Sequence, residues 1–277
     1  MSLERAAHRM RLRAVRMAEG KGEGYVGQGL QTADVLAVLF GAELRLAGPG
    51  EGDADGEGGA DGAGGADRFL LSTGHYSIGL WAAFAEAGLL AEADLGHYGR
   101  DGHPVAMSTI DGALPGVELT GGSLGHGPGV AAGLALGLRM SGSDGRVFVY
   151  LSDGELQEGS VWEAAMFAGA RDLSNLWAVV DINRTQADGP LVLEVEPCAA
   201  KLRAFGWACV EADGHDIGAL LDALDELRGM AGPKALICYT EIGHGVRLIA
   251  ERERAHFVRV GDDEWEQVRV ELEGTAP

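Results

Sequence analysis

Two wholly apolar runs, Val147 to Leu151 and Leu176 to Val180, are separated by a polar loop from Ser152 to Gly159 and one helical stretch from about Ser160 to Arg171. A strand that is apolar at every position has no solvent face. It therefore lies in a sheet covered on both sides, and two such strands joined through a helix run parallel. The segment reads as a βαβ unit. Further apolar runs at Ala208 to Glu211 and Ala235 to Thr240 flank a helical pattern over Ile217 to Leu227 and continue the alternation. Upstream, Arg68 to Leu71 reads as a short strand, STGHYS as a turn, and Ile78 to Ala87 as a helix stopped by Gly88. The expected fold class is α/β, a mainly parallel sheet with helices on both faces.

Before that sheet, Leu3 to Ala18 has helical spacing, and a Gly-rich turn, GKGEGYVGQG, separates it from a second helix over Thr32 to Leu44. Thr32 and Asp34 suit the first turn of that helix. Another long helix is expected over Gly129 to Arg139. Residues Gly48 to Asp67 hold nine glycines and six acids with almost nothing large enough to pack, so they are expected to form a mobile surface insertion in a single domain spanning 1–277. Lys and Arg number 22 against 42 acids, giving a net charge of −20. That sign repels nucleic acid and anionic membrane surfaces, although the insertion supplies six of the acids. Cys198, Cys209 and Cys238 form no C-x-x-C pair, and buried reduced thiols are expected. With no apolar stretch resembling a signal peptide or a membrane span, a cytoplasmic location is expected.

In a parallel sheet, ligands bind at the carboxyl ends of the strands. Leu151 is followed by SDGELQEGS and Val180 by DINRTQADG, so Asp153 and Asn183 are one strand-loop-helix-strand length apart. A right-handed crossover brings the two loops to one sheet edge, where hard oxygen ligands can share a small cation. Mg²⁺ with a diphosphate is the natural candidate, because this ion is held by one or two carboxylates and leaves positions for phosphate oxygens. Gly154 would let a diphosphate approach the backbone. Taken singly, Asp153, Asn183 and Asp188 are each explained by capping or turn formation. The pairing of the two loops is what favours a cation.

The stretch SDGELQEGSVWEAAMFAGARDLSNLWAVVDINRTQADG resembles the thiamine diphosphate signature of transketolases, in which G-D-G is followed about thirty residues later by N. DRFLLSTGHYS, GVELTGGSLGHG and RAFGWACVEADGHDI are similar to three further motifs of that family, in the same order. The resemblance runs over nearly the whole chain except the insertion. It implies a thiamine diphosphate-binding fold in which Asp153, the side-chain oxygen of Asn183 and the main chain of Thr185 hold Mg²⁺. It also implies that Gly154 and His75 contact the diphosphate region, and that Gly122, Ser123 and Leu124 lie against the cofactor. Glu158 matches a glutamate at the subunit contact. His256 and His103 match histidines near the reacting carbon and the substrate hydroxyls, and are the expected groups for proton transfer and hydroxyl polarisation. His8, His97 and His215 are expected in surface or core roles.

The sequence departs from the family at Tyr25 and His126, which stand in place of a histidine and a glutamine, and at Ser152 and Phe257, which stand in place of glycines. Cofactor chemistry is thus expected to be intact and substrate handling altered. The resemblance covers only the diphosphate-binding half of a transketolase. A separate C-terminal, pyrimidine-binding subunit is therefore expected, in an α2β2 heterotetramer acting on a small ketol donor and an aldehyde acceptor. The D-G-to-N spacing alone also admits thiamine-dependent decarboxylating E1-type subunits, against which L-Q-E-G and Q-x-D-G argue. A catalytically silent subunit of the same fold is a further alternative, against which the intact Asp153, Asn183 and His256 count.

Overall fold

A computed structural model describes residues 2–46, 65–187 and 189–277. Five parallel strands form the central sheet: β2 (Arg68–Leu71), β3 (Val147–Ser152), β4 (Leu176–Ile182), β7 (Ala208–Asp213) and β8 (Lys234–Tyr239), in the order β2-β3-β4-β8-β7. Short ribbons pair β1 (Glu23–Gly24) with β9 (Val258–Arg259), and β5 (Thr185–Gln186) with β6 (Gly189–Pro190). Every residue of β3 and β4 is buried, as their unbroken apolar runs require.

Alternate residues of these strands feed two separate cores. Phe148, Tyr150, Trp177 and Val179 pack with α1 (Leu3–Lys21), α2 (Val26–Gln31), α3 (Ala33–Val38), α4 (Ser77–Glu86), α8 (Ile217–Arg228), α9 (Arg247–Ala250) and α10 (Asp262–Glu273). Val147, Val149, Ala178 and Val180 pack with α5 (His126–Ser141), α6 (Gly159–Ala170) and α7 (Cys198–Ala204) on the opposite face. The three cysteines are buried free thiols. No helix among the described residues is long and apolar enough to cross a membrane.

The Gly-rich turn departs from its expected form, because α2 begins inside it at Val26. Its glycines are dictated by packing: a Cβ on Gly29 would come 2.7 Å from the Ala14 Cβ of α1. The expected single helix over Thr32 to Leu44 is α3 followed by a π-helical turn, Leu39–Glu43. Most of the expected insertion lies outside the described residues, but its last residue is not loose. The Asp67 carboxylate is fully enclosed and accepts hydrogen bonds from Arg45 and Arg146, at 2.9 Å and 2.6 Å in the shortest contacts. Arg146 also pairs with Glu43, so one charged cluster ties both flanks of the Gly-rich segment to the start of β3.

Candidate active site

Because the sheet is parallel, the loops after β2, β3, β4, β7 and β8 leave at one edge. Asp153, immediately after β3, is fully buried. Its Oδ1 accepts the Gly154 N–H at 2.8 Å and its Oδ2 accepts the Arg184 N–H at 2.5 Å. Arg184 adopts a left-handed conformation, φ 58°, which a non-glycine residue takes up at a cost of about 1 kcal/mol or more. The turn aims its N–H at Asp153. Among the described residues no Lys or Arg side chain is a hydrogen-bond or ion-pair partner of Asp153, and burial pushes its carboxyl up to about 7, with the Asp181 charge adding to the effect against backbone donors that lower it. A buried carboxylate held only by backbone N–H groups suits a cation ligand.

Asn183 joins it from the loop after β4. Its Oδ1 accepts the Thr185 N–H at 2.8 Å, while its Nδ2 donates to Gln31 Oε1 at 3.1 Å and to the Tyr76 hydroxyl at 3.0 Å. These partners fix which end of the amide is which and leave the second lone pair of Oδ1 for a metal. Asp153, Asn183 and Thr185 thus lie in adjoining loops at one sheet edge, and the oxygens they offer are of the kind Mg²⁺ takes. Asn183 and Arg184 also line a cleft of about 760 Å³ with Thr240, Ile242 and His244.

The loop after β2 supplies His75 on a 3₁₀ turn, Gly74–Tyr76. A Cβ on Gly74 would come 2.4 Å from Gly121 Cα, so this turn and the 121–124 loop touch backbone to backbone, as only glycine allows. Gly122 and Ser123 are exposed and Leu124 is half-buried. Their loop is locked from behind by Glu155, which is buried, accepts the Gly125 N–H at 2.7 Å and the Thr73 hydroxyl at 3.0 Å, and also binds Ser72. Glu158 is exposed at the start of α6.

His75 and His256 meet with ring centroids 4.8 Å apart. Burial lowers the His75 pKa to about 3, helped by the neighbouring His256, so His75 is a neutral imidazole at physiological pH. Tyr25 lies against both, with centroids 5.1 Å from His75 and 5.7 Å from His256, and meets Phe257 edge-on at 5.0 Å. The two aromatic departures from the family pattern are therefore neighbours. His103 makes its ring contact elsewhere, stacked on His97 at 4.5 Å. The Val105 N–H donates to His103 Nδ1 at 3.2 Å, which leaves the proton of the neutral ring on Nε2 as a donor. His126 is exposed, with Nε2 3.3 Å from Ser123 Oγ.

His215 also lines the cleft shared by Asn183 and Arg184 and ties three elements together. Its Nδ1 pairs with buried Asp34 at 3.0 Å, its Nε2 accepts the Glu241 N–H at 2.9 Å, and its ring stacks on His244 at 3.6 Å. Several polar residues escape a reading of the sequence. Asp181, fully buried inside β4, accepts hydrogen bonds from the Tyr150 hydroxyl at 2.7 Å and Gln31 Nε2 at 2.8 Å, and from Thr240. An acid closing an apolar strand run was its available signal. Gln28 and Gln31 carry none, because their partners lie on other elements. Asp188 lies outside the described residues.

A family profile described as "Transketolase, thiamine diphosphate binding domain" matches residues 2–276. The transketolase family protein y4mO of Sinorhizobium fredii, uncharacterized, is 46% identical over 277 residues, covering 98% of this chain and 95% of that protein. The 6-deoxy-6-sulfo-D-fructose transketolase subunit SqwG of a Clostridium strain is 32% identical over 257 residues, 91% of this chain and 89% of the relative. Transketolase from Leishmania mexicana superposes with a TM-score of 0.84 at 29% identity, over 99% of this chain but 41% of that one. Against human transketolase, too, the chain spans only 42% of the relative's length.

Proposed function

The chain belongs to the transketolase family, matching its thiamine diphosphate-binding domain, and we propose that it is the diphosphate- and Mg²⁺-binding subunit of a two-component transketolase-like enzyme. A separate polypeptide would bring the pyrimidine-binding half, two copies of each chain forming a cytoplasmic α2β2 assembly. A relative of similar length that is named as a transketolase subunit supports the division into two polypeptides. The observation that carries the reading is Asp153: a fully buried carboxylate, without a basic side-chain partner among the described residues, bonded to the Arg184 N–H of the loop that holds Asn183 and Thr185.

When bound, thiamine diphosphate supplies the carbon that takes a two-carbon ketol unit from a donor and gives it to an aldehyde. Asp153, Asn183 Oδ1 and the Thr185 main chain would hold the metal. Gly154 and His75 would meet the diphosphate region, with Gly122, Ser123 and Leu124 along the rest of the cofactor. His75 acts as a neutral hydrogen-bonding group, since its depressed pKa removes it from proton exchange near pH 7. Proton transfer near the reacting carbon falls to His256. His103, with its proton on Nε2, polarises a substrate hydroxyl. Tyr25 and Phe257 occupy space beside His256, which favours a substrate shorter or less polar than a pentose phosphate.

Calorimetric titration of thiamine diphosphate with Mg²⁺ into the paired polypeptides tests the reading. Saturable binding that Asp153→Ala abolishes is expected, and an absence of binding by the wild-type pair would overturn it.

A further inference from the structure

His256 stands on a bend that belongs to no helix or strand. The segment around it is held by a turn more than two hundred residues earlier in the chain. Glu23 and Gly24 pair with Arg259 and Val258. A Cβ on Gly27 would fall 2.9 Å from the Ala255 carbonyl oxygen, so the two backbones are in contact. Between these anchors, Gln28 Nε2 donates to the His256 carbonyl oxygen at 2.8 Å. Gln28 is completely buried and sits in α2, where its own carbonyl accepts the Thr32 hydroxyl at 2.8 Å. The donated hydrogen bond therefore comes from a rigid platform.

Gln28 is not a residue that packing alone would choose. Its Oε1 has no hydrogen-bond partner among the described residues, and a buried amide oxygen left unpaired is destabilising where an apolar side chain of the same length would not be. Its other end explains its presence. We propose that Gln28 is a positioning residue for His256, fixing the backbone that carries the imidazole so that the ring keeps its place beside His75 and Tyr25. The proposal rests on the reading of His256 as a proton-transfer group, and a displacement of about 1 Å in such a group can cost on the order of a hundredfold in rate.

Gln28→Met keeps length and volume but cannot donate. In the chain alone, hydrogen exchange at Ala255 to Val258 is expected to rise by roughly tenfold or more while α1 and α5 are unchanged. In the reconstituted holoenzyme, kcat is expected to fall roughly 10- to 100-fold, with cofactor affinity and donor KM within about threefold of wild type. Gln28→Glu adds a readout that a packing role would not move. A buried carboxyl titrates upward and donates only when protonated, so this variant should recover kcat near pH 6 and lose it near pH 8. Unchanged exchange at 255–258, a kcat within about twofold of wild type in Gln28→Met, or a wild-type pH profile in Gln28→Glu would each overturn the proposal. Failure of the cofactor reading would show instead as no thiamine diphosphate binding by wild type, and the exchange experiment decides the positioning role in that case as well.

Discussion

Asp153→Asn is expected to stabilise the metal-free chain while removing its capacity to hold the cation. The buried Asp153 carboxyl titrates at about 7 instead of the ordinary 3.8, because burial disfavours its charged form more than the Gly154 and Arg184 N–H groups compensate. Between those two pH values the folded chain binds a proton that the unfolded chain does not. Stability therefore falls as pH rises through this window and is lowest above about 7. About three tenfold steps in proton affinity, at 1.4 kcal/mol each, put the cost near 4 kcal/mol at pH 8. For a chain of this size that corresponds to on the order of 10 °C in melting temperature. The amide that replaces the carboxylate carries no charge to desolvate, and its Nδ2 facing one of the two N–H donors offsets only part of that gain, so the variant should melt higher than wild type at pH 8 and gain less on it at pH 5, where about 1.2 of the three tenfold steps have been lost. Mg²⁺ with thiamine diphosphate should raise the wild-type melting temperature only. Thermal denaturation of both proteins from pH 5 to 8, with and without these ligands, measures every term. A variant that melts below wild type by the same margin at pH 5 and pH 8 would refute the reasoning, since Asp153 would then be a stabilising hydrogen-bond acceptor and not a strained ligand.

Tyr25→His replaces a phenol that stays protonated far above neutrality with a group able to titrate near pH 7, and opens space beside His256 and Phe257. Turnover of xylulose 5-phosphate with ribose 5-phosphate by the reconstituted complex should improve, and efficient wild-type turnover of that pair would show the tyrosine to be innocuous. Gly74→Ala should abolish cofactor retention with a smaller effect on the fold, because the new methyl group would lie 2.4 Å from Gly121 Cα and push the 121–124 loop away; unchanged affinity by calorimetry would contradict this.

The sheet was legible because burial on both faces leaves a local mark. A run such as Val147 to Leu151 cannot sit in any other environment, and the loops that follow such runs must emerge at one edge, which placed Asp153 beside Asn183. Val26 to Gly29 reads as part of the Gly-rich turn but opens α2, for the opposite reason. Its glycines are set by contacts with Ala14 and Ile242, distant in the chain, and not by local backbone preference. Asp67 behaves likewise: composition assigns it to the Gly-rich insertion, while Arg45 and Arg146 enclose it.

The sequence by itself therefore determined the layered parallel sheet, the shared edge at which its loops emerge, and the acidic and amide side chains that follow β3 and β4, since each of these depends on the polarity of neighbouring residues. Tertiary structure alone decided that residues 25, 75, 256 and 257 converge on one cluster, that Gln28 reaches the His256 carbonyl, and that Gln31 links Asp181 to Asn183. A side chain's polarity states whether it needs a partner when buried. Which partner it finds is fixed only when separate elements pack, because that choice depends on distances between positions that no local pattern encodes.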